Sequence, residues 1–188
     1  MSINNFFAQT DPIPARPIAE SYWVIPGRLL AGEYPGIQFA VEKTRQRLDA
    51  FLDADFDTFI DFTGVNELPG YSKLLMEQAS YYGRQVEHLR FPIMDFGLPT
   101  PGVMTAILDA IDHSLEQGRR TYVHCHGGIG RTGTSVGCFL VRHGQTGSQA
   151  LAELAGWWKK VPKSAWHPRS PETPEQAQFV MNWAEKKP

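Results

Sequence analysis

The chain is sparing with cysteine. It has two, Cys125 and Cys138, and each has a reading of its own that needs no disulfide, which fits a reducing compartment. It also lacks an excess of either charge: 18 Lys and Arg against 20 Asp and Glu give a formal net charge of -2. That balance offers no global attraction to nucleic acid or an anionic membrane, so any anion site must be local. No apolar stretch approaches the length of a membrane span. The N-terminal MSINNFFAQTDPIPARP has no basic region followed by a long apolar run. A soluble cytoplasmic protein is expected, monomeric and without nucleic-acid or membrane partners. No repeat, low-complexity block or second Cys/His cluster with metal-ligand spacing is present, so neither a metal nor another cofactor is expected.

What the sequence does have is enough apolar residue for one core. At 188 residues and 42% hydrophobic content, a single domain is expected. Residues 1–20, rich in proline and polar residues, read as an N-terminal arm, with the domain over 21–188. YWVIPGRLLAGEYPG reads as two short strands across a Pro-Gly turn. Helical spacing follows at 38–54, 71–82, 101–117, 132–143, 148–160 and 173–186, and strands at 58–62, 86–92 and 121–124. Strands alternating with helices predict an α/β domain with a largely parallel central sheet flanked by helices. In such sheets ligands sit beyond the carboxyl ends of the strands, where the segment after Val123-His124 falls.

That segment, HCHGGIGRTG from His124 to Gly133, sets a cysteine and an arginine at the two ends of a glycine-rich turn. Gly127, Gly128 and Gly130 lie between Cys125 and Arg131, and a helical pattern follows, so backbone N–H groups can converge on an anion at a helix N-terminus. The same positive potential, with the Thr132 hydroxyl in reach, favours thiolate over thiol at Cys125. Arg131 adds a planar fork of donors that fits two phosphate oxygens at once. His126, Gly127, Gly128, Ile129, Gly130 and Arg131 are the candidate substrate-binding residues. His126 is expected to point outward and His124 to play a supporting, loop-ordering part.

This pattern, Cys-x5-Arg-Thr after a His-Cys strand end, resembles the cysteine-dependent phosphatases of the protein tyrosine phosphatase superfamily. The resemblance implies that fold and phosphomonoester hydrolysis through a cysteinyl-phosphate intermediate. The candidate catalytic residues are Cys125, Arg131, Thr132, Asp95 and Gln176. Asp95, thirty residues before the cysteine in FPIMDFGLPTP, resembles the general-acid loop of dual-specificity phosphatases, with Pro99 following; as a bare residue it also suits a turn. Gln176 in SPETPEQAQFV resembles the water-orienting glutamine of this superfamily. It equally suits the third position of a helix capped by Thr173.

The acid loop reads Ile93-Met94-Asp95 where the tyrosine-specific branch has Trp-Pro-Asp, which points to a compact, dual-specificity-type enzyme. The phosphate loop carries no lysine of the kind that meets extra phosphates in lipid phosphatases. Protein phosphotyrosine, with phosphoserine and phosphothreonine beside it, is therefore the first expected substrate, as for a protein tyrosine or dual-specificity phosphatase, with a phosphoinositide, an inositol phosphate or another small phosphoester as the alternative. A phosphate-binding module without turnover is the rival from outside enzymology. Asp61 and Glu67 read as turn or cap residues. Trp157, Trp158 and Trp183 are expected to fill the core between the late helices.

Overall fold

The computed structural model describes residues 12–185. Strands β1 (Ser21–Ile25), β2 (Leu29–Gly32), β3 (Thr58–Asp61), β4 (Glu87–Arg90) and β5 (Thr121–His124) form one sheet in the order β1-β2-β5-β3-β4. β1 runs antiparallel to β2, as the Pro-Gly turn requires; β2, β5, β3 and β4 are mutually parallel. The helices are α1 (Val41–Asp53), α2 (Ser72–Tyr81), α3 (Pro101–Glu116), α4 (Gly130–Arg142), α5 (Gly147–Trp158) and α6 (Pro174–Met181), with a short 3-10 helix at Pro162–Ala165.

Alternation along each strand sorts the side chains into two cores. Tyr22, Val24, Leu29, Ala31, Ile60 and Val123 face α3, α4, α5 and α6. Trp23, Leu30, Phe59 and Tyr122 face α1 and α2, where Phe51, Phe56, Phe59 and Tyr122 make a cluster of ring contacts. With both faces covered, β2, β3 and β5 are buried throughout, the polar ends of β3 and β5 included. Trp158 and Trp183 are buried in the first core, and Trp157 packs on its edge against Tyr22.

The expected elements are present with shifted ends. The helix read over 38–54 begins only at Val41, because Phe39 adopts a left-handed backbone with φ 56°. The helix read over 132–143 starts two residues earlier, so Arg131 lies in its first turn. The helix read over 173–186 stops at Met181. Residues 1–11 of the expected arm lie outside the described residues. Beyond them, Ile18 packs into the second core, and the Trp23 indole N–H donates to the Pro14 carbonyl at 2.8 Å. No helix among the described residues is long and apolar enough to cross a membrane.

The parallel register brings the strand ends together. Gly32 pairs with His124, His124 with Asp61, and Asp61 with Arg90. The loops after β2, β3, β4 and β5 therefore leave from one end of the sheet, the carboxyl ends of these parallel strands.

Candidate active site

Cys125 follows β5 directly and is 2% exposed, at the floor of the turn that ends in α4. The turn is possible because of its glycines. Gly128 has φ +72°, and a Cβ there would stand 2.3 Å from the Gly32 carbonyl carbon. β2 and the loop are thus packed backbone to backbone, tied by a hydrogen bond from the Tyr34 N–H to the His126 carbonyl at 2.9 Å. Among the described residues, none of the backbone N–H groups from His126 to Arg131 donates to a protein acceptor. Six consecutive donors in a glycine-rich turn at a helix N-terminus have the chemistry of an anion cradle.

Arg131 is 2% exposed, and both of its terminal nitrogens are engaged. Its two terminal nitrogens donate to the two carboxylate oxygens of Glu67, each at 2.7 Å. One of them also donates to Asp95 Oδ1 at 2.8 Å and the other to the Ile93 carbonyl at 3.1 Å. Burial works against charge on both partners. The hydrogen bonds from Arg131 and the Gly64 N–H nevertheless hold Glu67 below the usual carboxylate range, and Glu67 holds Arg131 above its ordinary value. The guanidinium is therefore charged and locked in orientation beside the cradle.

Glu67, read from the sequence as a turn or cap residue, is thus the arginine's main partner. It does also close the turn, accepting the Gly64 N–H at 2.9 Å. Sequence spacing gave no signal for the pairing, because 64 residues separate the two side chains.

Asp61, likewise read as a turn residue, is a buried anion. It accepts from the Thr63 N–H and hydroxyl at 2.8 and 2.7 Å, and from two nitrogens of Arg90 at 3.1 and 2.8 Å. His88 Nε2 lies 3.4 Å away and His124 Nδ1 4.0 Å. Burial pushes the Asp61 carboxyl up, but His88, His124 and Thr63 outweigh it and hold it well below the usual carboxylate range. His124 sits between Tyr71, whose hydroxyl is 2.7 Å from Nε2, and the Cys125 carbonyl, 3.2 Å from Nδ1. Its burial lowers its pKa to about 4, so the ring is neutral at pH 7.

Asp95 is half exposed on the loop after β4, facing Arg131. Gln176 is completely buried. Its Oε1 accepts from the Glu172 and Thr173 N–H groups, the capping arrangement expected for α6, while Nε2 donates to the Gly97 carbonyl on the acid loop at 3.2 Å. A Cβ at Gly130 would stand 2.8 Å from Gln176 Oε1, so this side chain lies against the phosphate loop and the acid loop together. Thr132 is buried, yet its hydroxyl makes no hydrogen bond, to the Cys125 thiol or to any other group of the described residues. His126 is exposed, as read from the sequence. Cys138 is buried in α4, where burial pushes its thiol far above the usual range.

A family model described as "Polymorphic toxin system, DSP-PTPase phosphatase" matches residues 40–145, more than half of the chain, and takes in the acid loop, Cys125 and Arg131. The chain belongs to this dual-specificity-type phosphatase family. It is 34% identical over 82 residues to the phosphatidylglycerophosphate phosphatase PTPMT2 of Arabidopsis thaliana, a match covering 43% of this chain and 36% of that protein. It is 26% identical over 137 residues to the mouse dual specificity protein phosphatase CDC14B, covering 70% of this chain and 26% of the relative. The chain thus spans about a third or less of the length of these two relatives. The solved structure of a mutant form of Tk-PTP superposes with a TM-score of 0.62 at 26% identity, over 87% of this chain and 93% of that one. The superfamily and fold expected from HCHGGIGRTG are the ones found.

Proposed function

We propose that this chain hydrolyses phosphate monoesters through a phosphocysteine intermediate at Cys125, with phosphorylated protein as substrate. The observation that carries the reading is the run of backbone N–H groups from His126 to Arg131, directly after Cys125, that donate to no acceptor among the described residues, with the Arg131 guanidinium locked by Glu67.

In the first step a phosphate dianion enters the cradle and takes the place of Asp95 at Arg131, while Glu67 keeps the guanidinium in orientation. The Cys125 thiolate forms the S–P bond as the P–O bond breaks, and protonated Asp95 gives its proton to the departing oxygen. The equatorial oxygens of the transition state meet the backbone N–H groups and Arg131, which need not reorganise. In the second step water attacks the phosphocysteine, the Asp95 carboxylate takes a proton from it, and Cys125 leaves as thiolate with release of inorganic phosphate. In this reading Gln176, which lies against both loops, orients that water.

Two features favour a monophosphate on a polypeptide over a polyphosphate. The two cations that belong to the phosphate loop or bond its backbone are already paired, Arg131 with Glu67 and Asp95, and Lys163 with Glu33 at 2.6 Å, which leaves no free lysine or arginine in the loop itself. The loops around it carry exposed apolar side chains: Val65 after β3, Met94, Phe96 and Leu98 after β4, and Trp166 before α6. The second reading, a phospholipid headgroup, is supported by the similarity to PTPMT2.

The test compares kcat/KM for phosphotyrosine, phosphoserine and phosphothreonine peptides with that for short-chain phosphatidylglycerophosphate and phosphoinositides. A peptide preference of about tenfold or more supports the protein reading, and the reverse order assigns the lipid one.

A further inference from the structure

The segment between α5 and α6 is pinned to the phosphate loop at two points. Lys163 Nζ donates to the Gly127 carbonyl at 3.2 Å, and the Ser170 hydroxyl donates to the Ile129 carbonyl at 2.8 Å. A third hydrogen bond, from the Trp158 indole to the His167 carbonyl at 2.6 Å, fixes the middle. Of the residues between the pins, 165–169 are all exposed. They form a strap that is held rigidly beside the cradle yet turns its side chains away from the core.

Two of those side chains are unusual for a surface that has only to be soluble. Trp166 is 80% exposed, although a tryptophan is ordinarily buried over most of its area. Arg169 is the one arginine among the described residues with no hydrogen-bond or ion-pair partner. Every other arginine donates to a carboxylate or a carbonyl: Arg16 to Ser21, Arg28 to Leu115, Arg45 to Glu77, Arg47 to Glu33, Arg84 to Asp55, Arg90 to Asp61, Arg119 to Glu87, Arg120 to Ala54, Arg131 to Glu67 and Arg142 to Glu185. In a chain that pairs its guanidinium groups this thoroughly, an unpaired one next to Ser170, itself bonded to the phosphate loop, is set apart. Trp and Arg are also the residue types that most often carry binding energy at a protein interface.

We infer that Arg169 is a specificity-determining residue that reads a second anionic group on the substrate, close to the phosphoryl group bound in the cradle, with Trp166 packing against the neighbouring peptide. The inference rests on the phosphoprotein reading above. The chemistry that fits is a planar, two-oxygen anion that can meet a guanidinium side by side, either the carboxylate of an acidic neighbour or a second phosphate. The contact lies at the surface, so its effect is selective rather than large.

The test uses phosphotyrosine peptides of one sequence with a single position beside the phosphoresidue set to Glu, a second phosphoresidue, Ala or Lys. Each kcat/KM is normalised to the same enzyme's p-nitrophenyl phosphate value. Wild type is expected to favour the Glu or doubly phosphorylated peptide over the Ala peptide by about fivefold. Arg169→Ala is expected to abolish the preference, Arg169→Glu to reverse it toward the Lys peptide, and Arg169→Lys to retain part of it. The two anionic peptides distinguish a carboxylate from a phosphate as the group read. Turnover of p-nitrophenyl phosphate with no charge preference among the peptides overturns the inference and leaves the phosphatase reading standing. No turnover of p-nitrophenyl phosphate by wild type overturns the reading itself, and the inference with it.

Discussion

Arg131 and Glu67 face each other fork to fork, with two hydrogen bonds of 2.7 Å between a guanidinium 2% exposed and a carboxylate on the loop after β3. Asp95 shares the same guanidinium at 2.8 Å. The pair fixes the plane of the arginine before any phosphate arrives and leaves one carboxylate, Asp95, free to be exchanged for it.

Glu67→Gln therefore keeps the shape of the side chain but removes the charge and one of the two acceptors. We expect kcat/KM for p-nitrophenyl phosphate to fall by about 10- to 100-fold, because the guanidinium loses its fixed orientation. Thermal unfolding followed by circular dichroism distinguishes this from loss of fold. Unchanged kinetics in a folded variant would assign Glu67 to closing the Gly64 turn alone.

Much of this site was legible from one short run of residues. Cys125, three glycines and Arg131 specify both the chemistry and the helix that follows, because a glycine-rich turn onto an N-terminus is a local construction. Asp95 and Gln176 were findable for the same reason, each set in a short phrase with turn or capping residues around it. Glu67, Asp61 and Tyr71 were not. Their partners are Arg131, Arg90 and His124, joined only when β3, β4 and β5 align and bring Asp61 beside both Arg90 and His124. Helix ends failed for local reasons that propensity does not carry, such as the left-handed backbone at Phe39.

The buried histidine makes the fold sensitive to acid. His124 has a folded-state pKa of about 4 against an ordinary value near 6.5, so below that value the unfolded chain binds a proton that the folded chain refuses. Stability is thus fully present above about pH 6.5 and falls as pH drops toward about 4, by about 3 kcal/mol for this group. Asp61, held low, adds a further loss at lower pH as its carboxylate protonates. Urea midpoints at pH 7 and 4.5 check the sign; a midpoint that rises on acidification would contradict it.

Asp95→Asn tests the proton donor through the leaving group. A p-nitrophenolate departs readily unprotonated, whereas the alkoxide of phosphoserine does not. The variant is expected to lose about 100-fold or more on a phosphoserine peptide and far less on p-nitrophenyl phosphate. Equal losses on both would mean that Asp95 serves only to hold Arg131.

Gln176→Ala removes the side chain that lies against Gly130 and bonds Gly97. If it orients the attacking water, the second step slows more than the first. Rapid-mixing kinetics with p-nitrophenyl phosphate should then show a burst of one nitrophenol per enzyme before a slower steady state. A variant that slows without a burst would reduce Gln176 to its capping bonds with Glu172 and Thr173.

Cys125 is the group on which the whole proposed mechanism turns. Hydrolysis of p-nitrophenyl phosphate, measured with reductant and EDTA present for wild type and Cys125→Ser, is predicted to proceed in wild type and to fall by about a thousandfold or more in the variant. Turnover that survives in Cys125→Ser, or that EDTA abolishes in wild type, would contradict the phosphocysteine mechanism.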